Sequence, residues 1–119
     1  MLTAKEIARL LDVANAGVHK GEVALARQIY AGILGAHPDH APTLISLAMS
    51  HLAVGEYEQC DTLLKEKVLA VNPEDSDALA YLGLSAFLAG RRDEADEILK
   101  RVPAGSTAAT MAQKVLESL

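Results

Sequence analysis

Aromatic side chains are nearly missing from this sequence, which has no tryptophan, one phenylalanine and three tyrosines in 119 residues. Sheets draw on aromatic and β-branched residues, so their scarcity argues against a β fold. Cysteine is reduced to Cys60, which excludes an internal disulfide and fits a reducing cytosol. No apolar run approaches the length of a membrane span. The opening Met-Leu-Thr-Ala-Lys-Glu has neither the charged nor the apolar region of a signal peptide, so a cytoplasmic location is expected. Positive charge is in deficit, with 11 Lys and Arg against 16 Asp and Glu and a net charge of -5. That balance speaks against nucleic-acid binding through phosphates.

What the chain does have is alanine and leucine, both strong helix formers, in a hydrophobic fraction of 50%. It also repeats. Gly21-Glu-Val-Ala-Leu-Ala26, Gly55-Glu-Tyr-Glu-Gln-Cys60 and Gly90-Arg-Arg-Asp-Glu-Ala95 lie 34 and then 35 residues apart. Each block separates two segments of helical apolar spacing. In the first segment Thr3 and Glu6 form a capping box ahead of Ile7, Leu10, Leu11, Ala14 and Val18. Gly17 to Gly21 is expected to form the turn. A second helix is expected over Glu22 to Ala36, with Val23, Ala26, Ile29, Tyr30, Ile33 and Leu34 inward. Pro38 ends it.

Asp39 is the expected N-cap of a third helix, with Pro42 tolerated in its first turn and Leu44, Leu47, Ala48, His51 and Leu52 along its stripe. A fourth helix carries Tyr57, Cys60, Leu63, Leu64, Val68 and Val71 up to Asn72-Pro73. The fifth begins near Asp75 with Leu79, Leu82, Gly83, Ala86 and Phe87. The sixth holds Ala95, Ile98, Leu99 and Val102 and is cut short by Pro103. Ser106 is the expected N-cap of a seventh helix. Ala108, Met111, Ala112, Val115, Leu116 and Leu119 face inward, with Gln113, Lys114, Glu117 and Ser118 outward. A repeat of this length cannot bury its apolar face alone, so the units must stack, and a stack needs a polar closing helix.

The three cycles resemble the tetratricopeptide repeat over roughly residues 7 to 102. Cycle one places Leu10, Val13, Ala14, Gly21, Ala26, Tyr30, Ile33 and Pro38 at that family's spacings. Cycle two follows with Leu44, Leu47, Ala48, Gly55, Tyr57, Cys60 and Leu64, and then has one extra residue before Val68 and Pro73. Cycle three has Leu79, Leu82, Gly83, Gly90, Ala95, Leu99 and Val102. The family's usual Trp is replaced by Leu. The resemblance implies an all-α superhelix of three antiparallel helix pairs plus a C-terminal capping helix, in a single domain spanning 1–119. The repeats would cover about 4–38, 40–73 and 75–103, and the capping helix about 106–119. Small residues at Ala14, Ala48 and Gly83, opposite Ala26, Cys60 and Ala95, suit close helix crossings.

In that family the first helix of each cycle lines a concave face. Transferred residue by residue, the face comprises Leu11, Asn15, Val18 and His19, then Ile45, Met49, Leu52 and Ala53, then Ala80, Leu84, Phe87 and Leu88. The Lys and Asn with which some members clamp a terminal carboxylate are replaced by Leu11/Asn15, Ile45/Met49 and Ala80/Leu84. A mostly apolar groove suits an amphipathic or apolar segment of a partner protein. The alternative is that the chain covers these residues itself, against its seventh helix or in a homo-oligomer.

No phosphate loop, HExxH or dinucleotide fingerprint occurs, and no nucleophile and base stand together in the pattern. His37 and His40 flank a turn without further ligands nearby, which reads as solvated histidines rather than a metal site. His19 edges the groove, and His51 reads as a packed core histidine. Cys60 fills a small-residue position, with nothing to activate its thiol. Asp96/Lys100 and Glu97/Arg101 are expected helix-surface pairs. No catalysis, cofactor, metal, nucleic acid or membrane is therefore expected. In size and architecture the chain resembles small bacterial type III secretion chaperones of the tetratricopeptide class, which hold a needle subunit in the cytosol. That likeness implies a chaperone for a small secreted subunit. The competing readings are a scaffolding adaptor and a binder of a small apolar ligand.

Overall fold

A computed structural model describes residues 2–119. Its helices are α1 (Ala4–His19), α2 (Val23–Ala36), α3 (Ala41–Ala53), α4 (Tyr57–Leu63), α5 (Ser76–Leu88), α6 (Arg92–Leu99) and α7 (Thr107–Glu117). α4 runs on without a break into a π-helical stretch, Leu64–Leu69. Pairs α1–α2, α3–α4 and α5–α6 stack in chain order, and α7 lies against α5 and α6. The stack measures 43 × 27 × 23 Å.

Each pair is closed by the same device. The amide of Glu22 donates to the Gly17 carbonyl and that of Gly21 to Val18. Glu56 and Gly55 repeat these bonds to His51 and Leu52, and Arg91 and Gly90 to Ala86 and Phe87. This pair of hydrogen bonds is a Schellman motif, which places a left-handed residue just after the helix. Gly21, Gly55 and Gly90 take φ of 84°, 80° and 84°, a region that side chains disfavour. The repeating glycine is thus a helix stop. Gly17, expected in the turn, is helical and supplies the carbonyl on which the motif closes.

The capping box at Thr3 and Glu6 forms in both directions, at 3.2 and 2.9 Å. Its counterpart at α3 differs from expectation. His40, not Asp39, is the N-cap, and no side chain caps the helix. An Asp39 cap would direct its carboxylate at the third helical residue, which would then be Pro42 and has no N–H. Asp75 does cap α5, accepting from the Ala78 amide at 3.0 Å. Ser106 occupies the N-cap of α7, but its hydroxyl donates back to the Pro103 carbonyl.

The extra residue of cycle two explains the π stretch. A π turn absorbs one inserted residue without breaking the helix. Here it brings Val68 into the core beside Leu64, as Ile33 lies beside Tyr30. Val71, expected on the inner stripe, falls beyond the stretch and is 84% exposed. Among the described residues Glu97 makes no ion pair with the expected Arg101 or any other cation, because α6 ends at Leu99 and Arg101 leaves the helical register. Asp96 and Lys100 do pair, at 2.8 Å.

Between repeats the same junction occurs twice with its charges reversed. Arg27 on α2 donates to Glu56 at the start of α4 at 2.7 Å, and Arg91 at the start of α6 donates to Asp61 on α4 at 2.6 Å. His51 joins the first junction through Nδ1, 3.0 Å from Glu56. It is therefore part of a half-buried polar network and not the core histidine expected. The helix crossings are tight. A Cβ on Gly83 would lie 2.4 Å from Leu99 Cδ2.

Candidate functional site

The first helices of the three pairs leave a cleft of about 340 Å³ between α1, α3 and the start of α5. Leu11, Ile45 and Met49 form its apolar floor and are only 8%, 9% and 8% exposed. They face it because Leu11 and Ile45 are one repeat apart, and Met49 follows Ile45 by one helical turn.

Polar groups frame this floor. The Tyr30 phenol, fully buried in the α1–α2 core, donates to Asn15 Oδ1 at 2.5 Å and so orients the amide at the cleft wall. Burial, and then the neighbouring Tyr81, push the Tyr30 phenol up from its ordinary value, so it remains a protonated donor. Tyr81 lines the opposite wall. It is pushed up by its own burial and then by the Asp77 carboxylate. Asp75 and Asp77 end the cleft on that side.

Four of the twelve residues transferred from the repeat pattern meet here: Leu11, Asn15, Ile45 and Met49. Val18 belongs to the α1–α2 core and Ala80 is 1% exposed, so neither presents surface to a partner. His19 and Ala53 are exposed at the far ends of their helices, and Leu52 is half-buried against the central core. Leu84 is half-buried outside the cleft lining. Phe87 packs in the C-terminal cluster that includes Ala112 of α7, while Leu88 is 47% exposed.

The missed lining residues follow a rule. The transferred pattern assigns the same face to every first helix. A cleft centred on α3 instead meets opposite edges of its two neighbours. From α1 it takes the Leu11/Asn15 edge, which corresponds to Ile45/Met49. From α5 it takes Asp77 and Tyr81, which correspond to Pro42 and Ser46 one repeat earlier. Asp77 and Tyr81 both lie one helical edge away from the α5 residues chosen.

The sequence offered two further groups, Cys60 and the His37/His40 pair. Cys60 is fully buried, and burial followed by the Asp61 charge pushes its thiol up to about 12. The His37 and His40 rings lie 6.5 Å apart. Among the described residues no group of three or more His, Cys, Asp or Glu side chains is arranged to hold a metal ion. Among them, too, no helix is long and apolar enough to cross a membrane.

No protein-family model matches the sequence, and no curated protein matches it. In structure it is similar to a solved mutant of MamA, a tetratricopeptide-type protein, with a TM-score of 0.64 and 22% identity. The match covers 97% of this chain and 67% of the MamA chain. The fold is all-α and of the tetratricopeptide type.

Proposed function

We propose that this chain is a protein-binding module without catalytic activity, which seats an apolar or amphipathic segment of a partner in the cleft between α1, α3 and α5. The observation that carries the reading is the apolar floor of Leu11, Ile45 and Met49, open to solvent through one cleft and framed by hydrogen-bonding groups. Repeat stacks offer extended concave surfaces for this use. The floor is already largely buried, so the gain comes from the partner's own side chain. Fully burying one the size of leucine stabilises by about 1.5–3 kcal/mol. At about 340 Å³ the cleft takes an anchoring side chain and leaves the rest of the segment on the surface.

The more specific form of the proposal is a cytoplasmic chaperone that keeps a small secreted subunit, as in type III secretion, from premature assembly. Its support is the three stacked repeats and the closing helix. The experiment is purification from the native host, followed by polymerisation of the recovered partner with and without equimolar chain. Stoichiometric recovery and suppressed polymerisation are expected. Ala41→Trp, which fills the cleft from its rim, should abolish both while the helical circular dichroism is retained. Suppression that survives Ala41→Trp in a folded chain rejects the cleft. A partner that is bound but never self-assembles rejects the chaperone and leaves an adaptor.

A further inference from the structure

The charge at the cleft is one-sided. Of the side chains lining it, Asp75 and Asp77 are the charged ones, and both are carboxylates. Asp75 uses Oδ1 to cap α5 and keeps Oδ2 free of that bond. Asp77 sits one turn before Tyr81 on the same wall, close enough to raise its phenol. The apolar floor and the acidic end therefore belong to one recess. A ligand that fills the floor brings its neighbouring residues against the carboxylates. The α5 N-terminus offsets part of this charge, but an anionic neighbour would still meet like charge there, whereas a cationic one would meet two carboxylates.

We propose that the cleft selects a partner segment in which an apolar anchor is flanked by arginine or lysine. The anchor seats on Leu11, Ile45 and Met49, and the cation reaches Asp75 and Asp77. This rests on the cleft being the binding site. Arginine fits better than lysine because its planar guanidinium engages two carboxylate oxygens at once. The selectivity is electrostatic at a solvent-open rim, so it weakens as salt rises.

The test uses two synthetic amphipathic helical peptides with identical leucine faces, one with arginine and one with glutamate beside the anchor. Affinity is read by fluorescence anisotropy, and position by methyl NMR shifts of Leu11, Ile45 and Met49. The arginine peptide should bind about 5- to 10-fold more tightly at low salt, as two rim ion pairs allow. The gap should close in 0.5 M NaCl. Asp75→Asn with Asp77→Asn should remove it while the protein stays folded, since asparagine caps a helix as well as aspartate. Equal affinities with shifts at the three methyl-bearing residues overturn the cationic preference and leave the cleft as the site. No shift at those residues with either peptide overturns both.

Discussion

Along the concave face, α1, α3 and the first turn of α5 leave a cleft, whereas toward the C-terminus α7 lies on α5 and draws Phe87 into a cluster with Ala112 and Leu99. Both regions derive from the same repeat. They differ because the sixth helix stops early at Leu99 and Pro103 returns the chain to its own surface. Self-coverage and an open groove were competing readings of the sequence; α7 covers the C-terminal end, and the cleft at the other end is left uncovered by the chain. A repeat protein can thus close one end of its groove with its own chain and leave the other end uncovered.

The largest way to break this contrast is to remove residues 106–119. Losing α7 uncovers Ala86 and Phe87, and a loss on the order of 2–4 kcal/mol is expected, with Tm lower by roughly 10 °C or more. Binding of a hydrophobic dye should rise in the same thermal scan. An unchanged Tm would show that α7 does not close this end.

Substitution at the helix crossings sharpens the contrast. Gly83→Ala places a methyl against the buried Leu99; the overpacking, about 1–3 kcal/mol, should outweigh the roughly 0.5–1 kcal/mol gained by removing a helical glycine, a net loss in urea unfolding. At the equivalent crossing in cycle one the packing already accommodates a methyl. Ala14→Gly should therefore destabilise, by about 0.5–1 kcal/mol from backbone entropy alone plus the lost contacts of a buried methyl. Gly83→Ala proving neutral would mean that Leu99 has room to turn aside.

The two reversed ion pairs come next. The Asp61 side chain is 12% exposed and that of Glu56 is 37% exposed. Asp61→Asn should therefore cost roughly 1–2 kcal/mol and more than Glu56→Gln, whose carboxylate is more exposed to solvent. Arg27→Glu combined with Glu56→Arg should recover most of what either single reversal loses, as measured in a double-mutant cycle. The Arg27 hydrogen bond, and then that of His51, hold the Glu56 carboxyl below its usual range. Its contribution is present above the unfolded carboxylate pKa and is lost as pH falls through the lower folded value. Glu56→Gln should flatten that acid limb.

The smallest effect concerns Cys60. With its pKa at about 12, the native thiol should be nearly unreactive toward a disulfide reagent at pH 8 and react fully once unfolded. A raised folded pKa also means that whatever stability this burial contributes is present below the unfolded thiol value and declines as pH rises past it.

The helices and their order were legible because the turn glycines recur at a nearly fixed interval and each ends a helix by the same backbone motif. Even the inserted residue in cycle two was visible, although its form as a π stretch was not. Periodicity shows that a residue is extra, whereas the core contacts of Leu64 and Val68 decide how the helix absorbs it. Half of the site's logic was readable in the same way. Leu11, Asn15, Ile45 and Met49 follow from the repeat register. Asp77 and Tyr81 do not, because the edge of α5 that meets the cleft depends on how the helices fan out around α3. His51 was misplaced for a related reason: its hydrogen-bond partners, Arg27 and Glu56, come from two other segments of the chain.

Hydrogen exchange of the chain, alone and bound to the partner recovered from its host, tests binding at the open end most directly. Added protection is expected around residues 11–15, 41–49 and 75–81, with none beyond the free-state level in α7. Protection confined to residues 84–88 and α7 would contradict it and place the partner at the end the chain closes for itself.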